Sequence, residues 1–369
     1  MEKVAHLTSV HPRDDIRIFL KECMSLSKIY KVVLVVADGN GNEEKHGIDI
    51  YDVGAFSGRL NRMKNAPAQI LKQALALNAD IYHLHDPELL TIALNLKKSG
   101  KKVIFDAHED VPKQILSKPY LNKWVAKIIS ILVRIYEQFV CTRLDAVVTA
   151  TPMIRDKFLK YKSQVIDINN YPLPRELEII NKDWNNIGNQ IAYVGGITKI
   201  RGIEQVVEAM SLTEVPVRLN LVGKFSEEAV YRRVQELNGW RSINEFGQLG
   251  RGEVKTILAH SIAGIVTFLP MPNHIDAQPN KMFEYMSAGI PVIASNYPLW
   301  RSIIEGNNCG ICVDPLNPQE IANAIDKLVQ NKEWARLLGE NGKKAIYDKY
   351  SWLIEEKKLL QLYQTVLET

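Results

Sequence analysis

Ile191-Ala-Tyr-Val-Gly195-Gly196-Ile-Thr-Lys199-Ile-Arg201-Gly202-Ile-Glu-Gln-Val-Val-Glu-Ala-Met210 reads as a strand, a glycine loop and an amphipathic helix. A β-branched run that turns through glycine into a helix is the unit from which parallel sheets with helical cover are built. The rest of the chain repeats it. Upstream, strand candidates fall at Val4–Thr8, Val32–Ala37, Ile48–Val53, Ile81–Leu84, Val103–Asp106, Ala146–Thr149 and Val165–Ile168, with helical periods between most of them. Downstream they fall at Arg218–Val222, Ile243–Phe246, Gly264–Phe268, Pro291–Ala294 and Gly310–Val313. Two series imply two sheets, so the expected fold class is α/β with two doubly wound Rossmann-like domains.

Residues 169–189, between the series, are rich in Asn and Pro, which neither helix nor strand favours. This places a linker at 171–189, an N-terminal domain at 1–170 and a C-terminal domain at 190–350. The tail, 351–369, carries Trp352, Leu353, Leu359, Leu360, Leu362, Tyr363 and Val366 and needs a surface to cover, for which the N-terminal domain is the candidate. Ligands of doubly wound sheets bind beyond the carboxyl ends of the strands, so two such domains are expected to face a central cleft.

With 369 residues, 46% of them hydrophobic, the chain can bury two cores. Its net charge of +4 is unevenly spread: residues 1–170 carry 25 Lys+Arg against 19 Asp+Glu, the remainder 21 against 23. A basic first domain suits an anionic partner, and charge alone does not choose among lipid phosphate, a pyrophosphate-linked glycan and nucleic acid. No basic start, apolar stretch and cleavage site precede Val4, so secretion is not expected. The most apolar long segment, Trp124–Val140, is interrupted by Lys127, Arg134 and Glu137 and falls short of the ~20 apolar residues a spanning helix needs. A cytoplasmic chain is expected, either soluble or peripheral on the inner face of the membrane. For the second case, residues 118–134 combine an apolar body with Lys and Arg, as interfacial helices do, and Arg59, Arg62 and Lys64 form a candidate second basic patch; a core helix is the alternative. Four cysteines make no disulfide framework, and Cys309-Gly-Ile-Cys312 lacks the second pair of a zinc site, so it reads as strand packing.

The strongest chemical signal is Asp276-Ala-Gln-Pro-Asn280-Lys281-Met282-Phe-Glu284-Tyr-Met-Ser-Ala-Gly-Ile-Pro-Val-Ile-Ala-Ser295. It follows an apolar strand and a Pro/Asn loop and opens a helix at about Pro279. The unpaired N–H groups of a first helical turn form an anion site, and Lys281 adds a full charge beside it, which suits pyrophosphate. Asp276 sits in the loop and Glu284 inside the helix, so one can hold a sugar while the other holds a ribose. In the opening stretch, Gly195 and Gly196 let the backbone approach a ligand and Arg201 offers a forked donor set for phosphate oxygens; a plain tight turn is the alternative there.

The block from Asp276 resembles the E-x7-E signature of glycosyltransferase family 4, followed as in that family by Gly289-Ile-Pro-Val-Ile-Ala, and the resemblance extends over essentially the whole chain. It implies the GT-B fold and a retaining, nucleotide-sugar-dependent transferase of the group 1 type, with a UDP- or GDP-linked donor between which the sequence does not choose. On this resemblance Glu284 binds the ribose and Asp276, one methylene shorter than the usual glutamate, contacts the donor hexose. Asn280, Lys281 and Met282 accompany them as donor contacts. The glycine loop resembles the family's strand-Gly-Arg-loop-Lys-Gly element, with Arg201 at the lysine position and Gly196 where the arginine usually stands; Lys199 and Lys281 are candidates to replace it. Gln248 and Leu249 lie where the family grips the base largely through backbone.

In the first domain, Ile81-Tyr-His83-Leu-His85-Asp86-Pro-Glu88 and Phe105-Asp106-Ala-His108-Glu109-Asp110 place three histidines at strand ends. Spacing permits metal ligation, while Asp86-Pro87 also reads as a helix cap. The two stretches resemble the family's cleft histidine motifs, in which the residue matched by His108 touches the donor sugar near its reacting carbon. His11, Arg13, Arg62, His85 and Glu109 are the acceptor-side candidates, with capping, packing and surface roles as alternatives. No D-x-D occurs, so a metal-independent reaction with no cofactor beyond the donor is expected, as is the absence of nucleic acid. No G-x-G-x-x-G follows the first strand of either half, which disfavours a nicotinamide enzyme. The remaining rivals are a sugar-nucleotide epimerase of the same fold, using Glu109 and Asp110, and a binding protein that has lost catalysis. The acceptor expected is a glycan or a lipid-diphosphate-linked glycan of a bacterial surface.

Overall fold

The computed structural model describes residues 1–116, 118, 121–173 and 175–368, so Pro119 and Tyr120 of the basic apolar segment and Pro174 of the Asn/Pro stretch lie outside the described residues. The chain divides into two compact units, Met1–Asn170 with Trp352–Thr369, and Tyr171–Ser351.

The first unit is built on a sheet of β1 (Lys3–Leu7), β2 (Lys31–Val36), β3 (Glu43–Lys45), β4 (Ile48–Asp52), β5 (Ile81–Leu84), β6 (Lys102–Ala107), β7 (Ala146–Thr149) and β8 (Val165–Asp167), in the order β3-β4-β2-β1-β5-β6-β7-β8. All pairings are parallel except β3 with β4. The central strands are buried on both faces, which is why they read as unbroken apolar runs such as Val32-Val-Leu-Val-Val36. Strand β3 was not expected. Glu-Glu-Lys has no apolar periodicity, and it joins the sheet edge through antiparallel pairing with β4 and an ion pair from Arg13 to Glu43 at 3.0 Å. Helix α1 (Lys123–Cys141) buries Ala126, Ser130, Glu137, Val140 and Cys141 against this unit.

The second unit carries β9 (Gln190–Val194), β10 (Arg218–Val222), β11 (Ile243–Gly247), β12 (Ala263–Val266), β13 (Val292–Ser295) and β14 (Gly310–Val313), all parallel, in the order β11-β10-β9-β12-β13-β14. From β9 the chain builds outward through β10 to β11 and then crosses back to place β12 on the other side of β9. Such switch points open a crevice at the strands' carboxyl ends, here at the glycines after β9 and the loop after β12. Helix α2 (Ile203–Ala209) covers one side with Ile203, Val206 and Val207 buried at helical spacing. Helices α3 (Arg251–Ala259) and α4 (Asn280–Ala288) follow β11 and β12. The described residues of 171–189 form no helix or strand and anchor to this unit through buried Tyr171, Leu177, Ile179 and Ile187.

The last helix, α5 (Trp352–Glu368), belongs to the first unit. Trp352 donates its indole N–H to Ser25 Oγ at 3.0 Å, the Glu355 carboxylate accepts from the Asn169 N–H at 2.8 Å, and the Tyr363 hydroxyl lies 2.8 Å from His83 Nδ1. Leu353 is exposed on its outer face. Cys309 and Cys312 are free thiols, and burial pushes both up to about 12, as expected of packing rather than reactive groups. Among the described residues no helix is long and apolar enough to cross a membrane.

Candidate functional site

In the second unit two cations, Lys281 and Arg201, come together around the Phe268 ring where β9 ends. Gly195 takes φ of 109°, and a Cβ on Gly223 would lie 2.0 Å from the Gly195 carbonyl oxygen, so the close approach of the chain just beyond β9 and β10 requires glycine. A Cβ on Gly195 would meet Lys281 Cε at 3.0 Å, which shows the lysine chain running directly over the glycine. The Lys281 ammonium is buried and has no hydrogen-bond partner; it lies 4.4 Å from the centre of the Tyr193 ring and 5.6 Å from that of Phe268. Burial, with a smaller contribution from the Arg201 charge, holds its pKa down to about 7. Arg201 donates from Nη1 to the Gly196 carbonyl at 2.9 Å and stacks 5.5 Å from the Phe268 ring.

Lys281 is the second residue of α4. No side chain caps the first turn of α4, the turn that carries the ammonium. Asn280 is exposed at this end. Met282, expected among the donor contacts, has its side chain fully in the core and its N–H bonded to the Pro279 carbonyl at 3.0 Å, so the packing of α4 withdraws it. Glu284 accepts from Arg251 Nη1 at 2.7 Å, and Arg251 also reaches Glu176 at 2.6 Å. Neither Arg251 nor Glu176 was singled out from the sequence, since Arg251 sits at the start of α3 and Glu176 in the irregular stretch before β9. Asp276 is half-buried in a loop that the Trp300 indole anchors by donating to the Ala277 carbonyl at 2.7 Å. Gln248 is exposed and Leu249 half-buried beyond β11, at the edge of the sheet. Lys199 is 61% exposed and reaches Glu204 at 4.0 Å.

In the first unit the loops after β1, β5 and β6 are knotted by charge. Asp86 Oδ2 accepts from Thr8 Oγ1 and from the Ser9 N–H, both at 2.7 Å, while His11 spans Asp15 at 3.3 Å and Asp86 at 3.4 Å. Burial works against a charge on His11, but the two carboxylates outweigh it and raise its pKa. His108 Nε2 lies 2.8 Å from Asp106 and its ring 5.1 Å from that of His11, both rings partly open to solvent. His85 lies behind them. It contacts Asp106 at 3.3 Å and His6 at 2.8 Å with no exposed surface, so it supports His108 and cannot itself face an acceptor. Burial lowers its pKa to about 4 and that of His6 and His83 well below the usual value.

Other first-domain candidates are engaged. Arg13 makes paired hydrogen bonds to Asp38 at 2.7 and 2.8 Å and a third to the Gly41 carbonyl, fastening the loop before β3. Arg62 is paired with Glu88 at 2.9 Å, which neutralises it as a member of a basic patch. Glu109 is exposed and accepts from Gln114, and Asp110 pairs with Lys157 at 3.1 Å.

Two groups among the described residues bring potential metal-ligand atoms within 4.8 Å: His6, Glu22, His83 and His85, and His85, Asp106 and His108. In the first, the His6 and His83 Nδ1 atoms already face His85 and the Tyr363 hydroxyl at 2.8 Å, so an ion would have to displace both hydrogen bonds. His6, Arg17, Glu22 and Asp106 are the residues sequence reasoning missed. Arg17 reaches Asp106 at 2.9 Å and Glu22 at 3.2 Å, all three buried.

Residues 175–345 match the family described as glycosyl transferases group 1, and residues 26–168 that described as Glycosyltransferase Family 4. An O-antigen chain mannosyltransferase C of Escherichia coli is 22% identical over 302 residues, covering 78% of this chain and 75% of its own. The capsular polysaccharide biosynthesis glycosyltransferase CapM of Staphylococcus aureus is 23% identical over 188 residues, 48% of this chain and 46% of its own. Two uncharacterised glycosyltransferases of Methanocaldococcus jannaschii, 26% and 24% identical, are matched over 45% and 60% of their length, so the chain spans only about half of those curated relatives. Among solved structures, the sucrose-phosphate synthase of Thermosynechococcus elongatus superposes with a TM-score of 0.79 over 100% of both chains at 17% identity. HepE of Anabaena in complex with UDP and glucose gives 0.76 over 99% of this chain and 100% of its own at 13% identity.

Proposed function

Because this chain belongs to glycosyltransferase family 4, the group 1 glycosyltransferases, and has their GT-B fold, we propose that it moves a hexose with retention from a UDP- or GDP-sugar to a glycan or lipid-diphosphate-linked acceptor. The proposed setting is bacterial surface polysaccharide synthesis at the inner face of the cytoplasmic membrane. One observation carries the donor assignment. The Lys281 ammonium is buried without a hydrogen-bond partner, beside a glycine backbone and the uncapped N-terminus of α4. An unpaired buried cation is costly to fold around and is explained by an anion that completes it. Pyrophosphate fits, with Arg201 as a second donor once it leaves the Gly196 carbonyl.

In this reading Glu284 accepts from the ribose hydroxyls, Asp276 orients the hexose, and the exposed edge of His108 meets the sugar near its reacting carbon. Asp106 fixes the His108 ring through the 2.8 Å contact. As the donor's C–O bond breaks, the negative charge that gathers on the pyrophosphate is met by Lys281, Arg201 and the α4 amides, a preorganised set that needs no divalent ion. The departing phosphate takes the acceptor's proton, so no enzymic nucleophile is required. The basic first unit is the proposed acceptor side.

Incubating the purified protein with UDP- and GDP-sugars and following release of the nucleotide diphosphate tests the proposal without knowledge of the acceptor. Slow hydrolysis of one donor class is expected. Nucleotide binding with no turnover of any donor would favour a binding protein instead.

A further inference from the structure

Helix α1 is covered on one side only. Its outer side is apolar as well: Trp124 is 75% exposed, Leu132 61%, Ile128 59% and Ile135 57%, with Ile131 and Phe139 exposed beside them. At roughly 100° per residue these six gather into one stripe, and Lys123, Lys127 and Arg134 fall along one border of it. Exposed helix faces are ordinarily polar, and a continuous apolar face rimmed by polar groups marks an interaction surface.

The charges on this face have one sign. The helix has a single acid, Glu137, which is buried and paired with Lys157 at 2.5 Å, so the exposed surface of α1 presents cations and no carboxylate. The cations lean along the stripe: the Lys127 ammonium lies 5.9 Å from the Trp124 ring, and the Arg143 guanidinium, just past the helix, 3.8 Å from that of Phe139. Aliphatic stems laid on an apolar surface with charged ends at its edge are the posture of interfacial lysines and arginines.

We propose that α1 docks this protein on an anionic lipid bilayer, lying in the plane of the interface with Trp124, Ile128, Leu132 and Ile135 among the acyl chains and Lys123, Lys127 and Arg134 among the lipid phosphates. Charge complementarity selects lipid over a second copy of this chain, because a second α1 face offers these cations no carboxylate, and in an antiparallel pairing it would set cations against cations. The surface of α1 carries this inference by itself, independently of the transferase reading.

Co-sedimentation of the full chain with vesicles of phosphatidylcholine alone, and of phosphatidylcholine mixed with phosphatidylglycerol, tests it. Binding to the mixed vesicles should exceed binding to the neutral ones by at least about tenfold. The double variant Ile128→Asp, Ile135→Asp should lose binding to both, and Lys123→Gln, Lys127→Gln, Arg134→Gln together should erase the preference for the anionic ones. All five side chains are exposed, and unchanged circular dichroism and nucleotide diphosphate affinity would certify that the variants are folded and separate this test from the donor reading. Negligible binding of the wild type to both vesicles, or undiminished binding of the Asp variant, overturns the proposal. A dimer seen by light scattering that the Asp variant dissolves, without lipid binding, would put a second copy on α1 instead.

Discussion

Lys281 rests over Tyr193, its ammonium 4.4 Å from the ring centre and without a hydrogen-bond partner. The aromatic face returns part of what burial removes from the charge, yet the pKa still falls to about 7. The fold thus holds a cation in reserve, at a cost to its own stability.

That cost is measurable. The unfolded lysine keeps its usual value of 10.5 and the folded one titrates at about 7, so the unfolded chain binds the extra proton as pH falls through that window and stability is lost there. Lys281→Met keeps the aliphatic body and removes the charge. At pH 7 it should raise unfolding stability by about 1–3 kcal/mol, read from urea midpoints, while nucleotide diphosphate affinity drops at least about tenfold. A variant that is less stable and binds normally would place the anion elsewhere.

Donor binding should also take up a proton. An anion against Lys281 raises its pKa, so above pH 7, where the free protein's lysine is largely neutral, each binding event draws a proton from the buffer. Nucleotide diphosphate affinity should weaken by up to about tenfold per pH unit above 7. Calorimetry at pH 8 in buffers of different ionisation enthalpy should give buffer-dependent heats that vanish in Lys281→Met. Equal heats in all buffers would show that Lys281 does not meet the ligand.

Much of this architecture is legible in the sequence because a parallel strand buried on both faces announces itself locally. Val32–Val36 and Ile191–Val194 needed no partner to be recognised. The edge strand β3 was hidden because pairing and Arg13, not its own residues, hold it. Gly195 stands at a positive φ at the end of β9 and the Lys281 chain runs over it, a pairing that the glycine loop and the helix start each announce locally. What the sequence concealed was burial and partnership. His6 meets His85 across 79 positions, Tyr363 meets His83 across 280, and Arg251 meets Glu284 across 33, so no local spacing carries those pairs. The same reason made His85 look like a surface contact when it is a buried support.

The histidine cluster should make the first unit acid-labile. His6, His83 and His85 have depressed pKa values, down to about 4 for His85, against 6.5 unfolded. Their stabilisation is complete above pH 6.5 and is lost as pH falls from there toward 4, since the unfolded chain takes protons the fold refuses. His11, with its raised pKa, acts oppositely and loses stability as pH rises. Tyr363→Phe leaves the buried His83 Nδ1 without its 2.8 Å partner and should cost about 1–3 kcal/mol. Urea midpoints at pH 7 and pH 5 test both; a flat pH response would mean that the histidines take up protons in the fold as readily as in the unfolded chain.

Glu284 and Asp276 should fail in different ways when each is made an amide. Glu284 sits one turn inside α4, and its ribose contacts would exist in ground and transition states alike, which affects affinity more than turnover. Glu284→Gln should weaken nucleotide diphosphate binding by about 1.5–3 kcal/mol, the range for hydrogen bonds to a charged group. Its pair with Arg251, which is 40% exposed, should add less than about 1 kcal/mol of stability, so the thermal midpoint should barely move. Asp276, in the loop that Trp300 anchors, would touch the hexose, whose orientation matters most as the glycosidic carbon gains positive charge. Asp276→Asn should therefore lower turnover of the nucleotide sugar while leaving affinity for the bare nucleotide diphosphate nearly unchanged. Calorimetry with the free nucleotide and kinetics with the sugar nucleotide separate the two. If Asp276→Asn lost nucleotide affinity and Glu284→Gln kept it, the two carboxylates would have exchanged roles and the donor would lie in the opposite direction across α4.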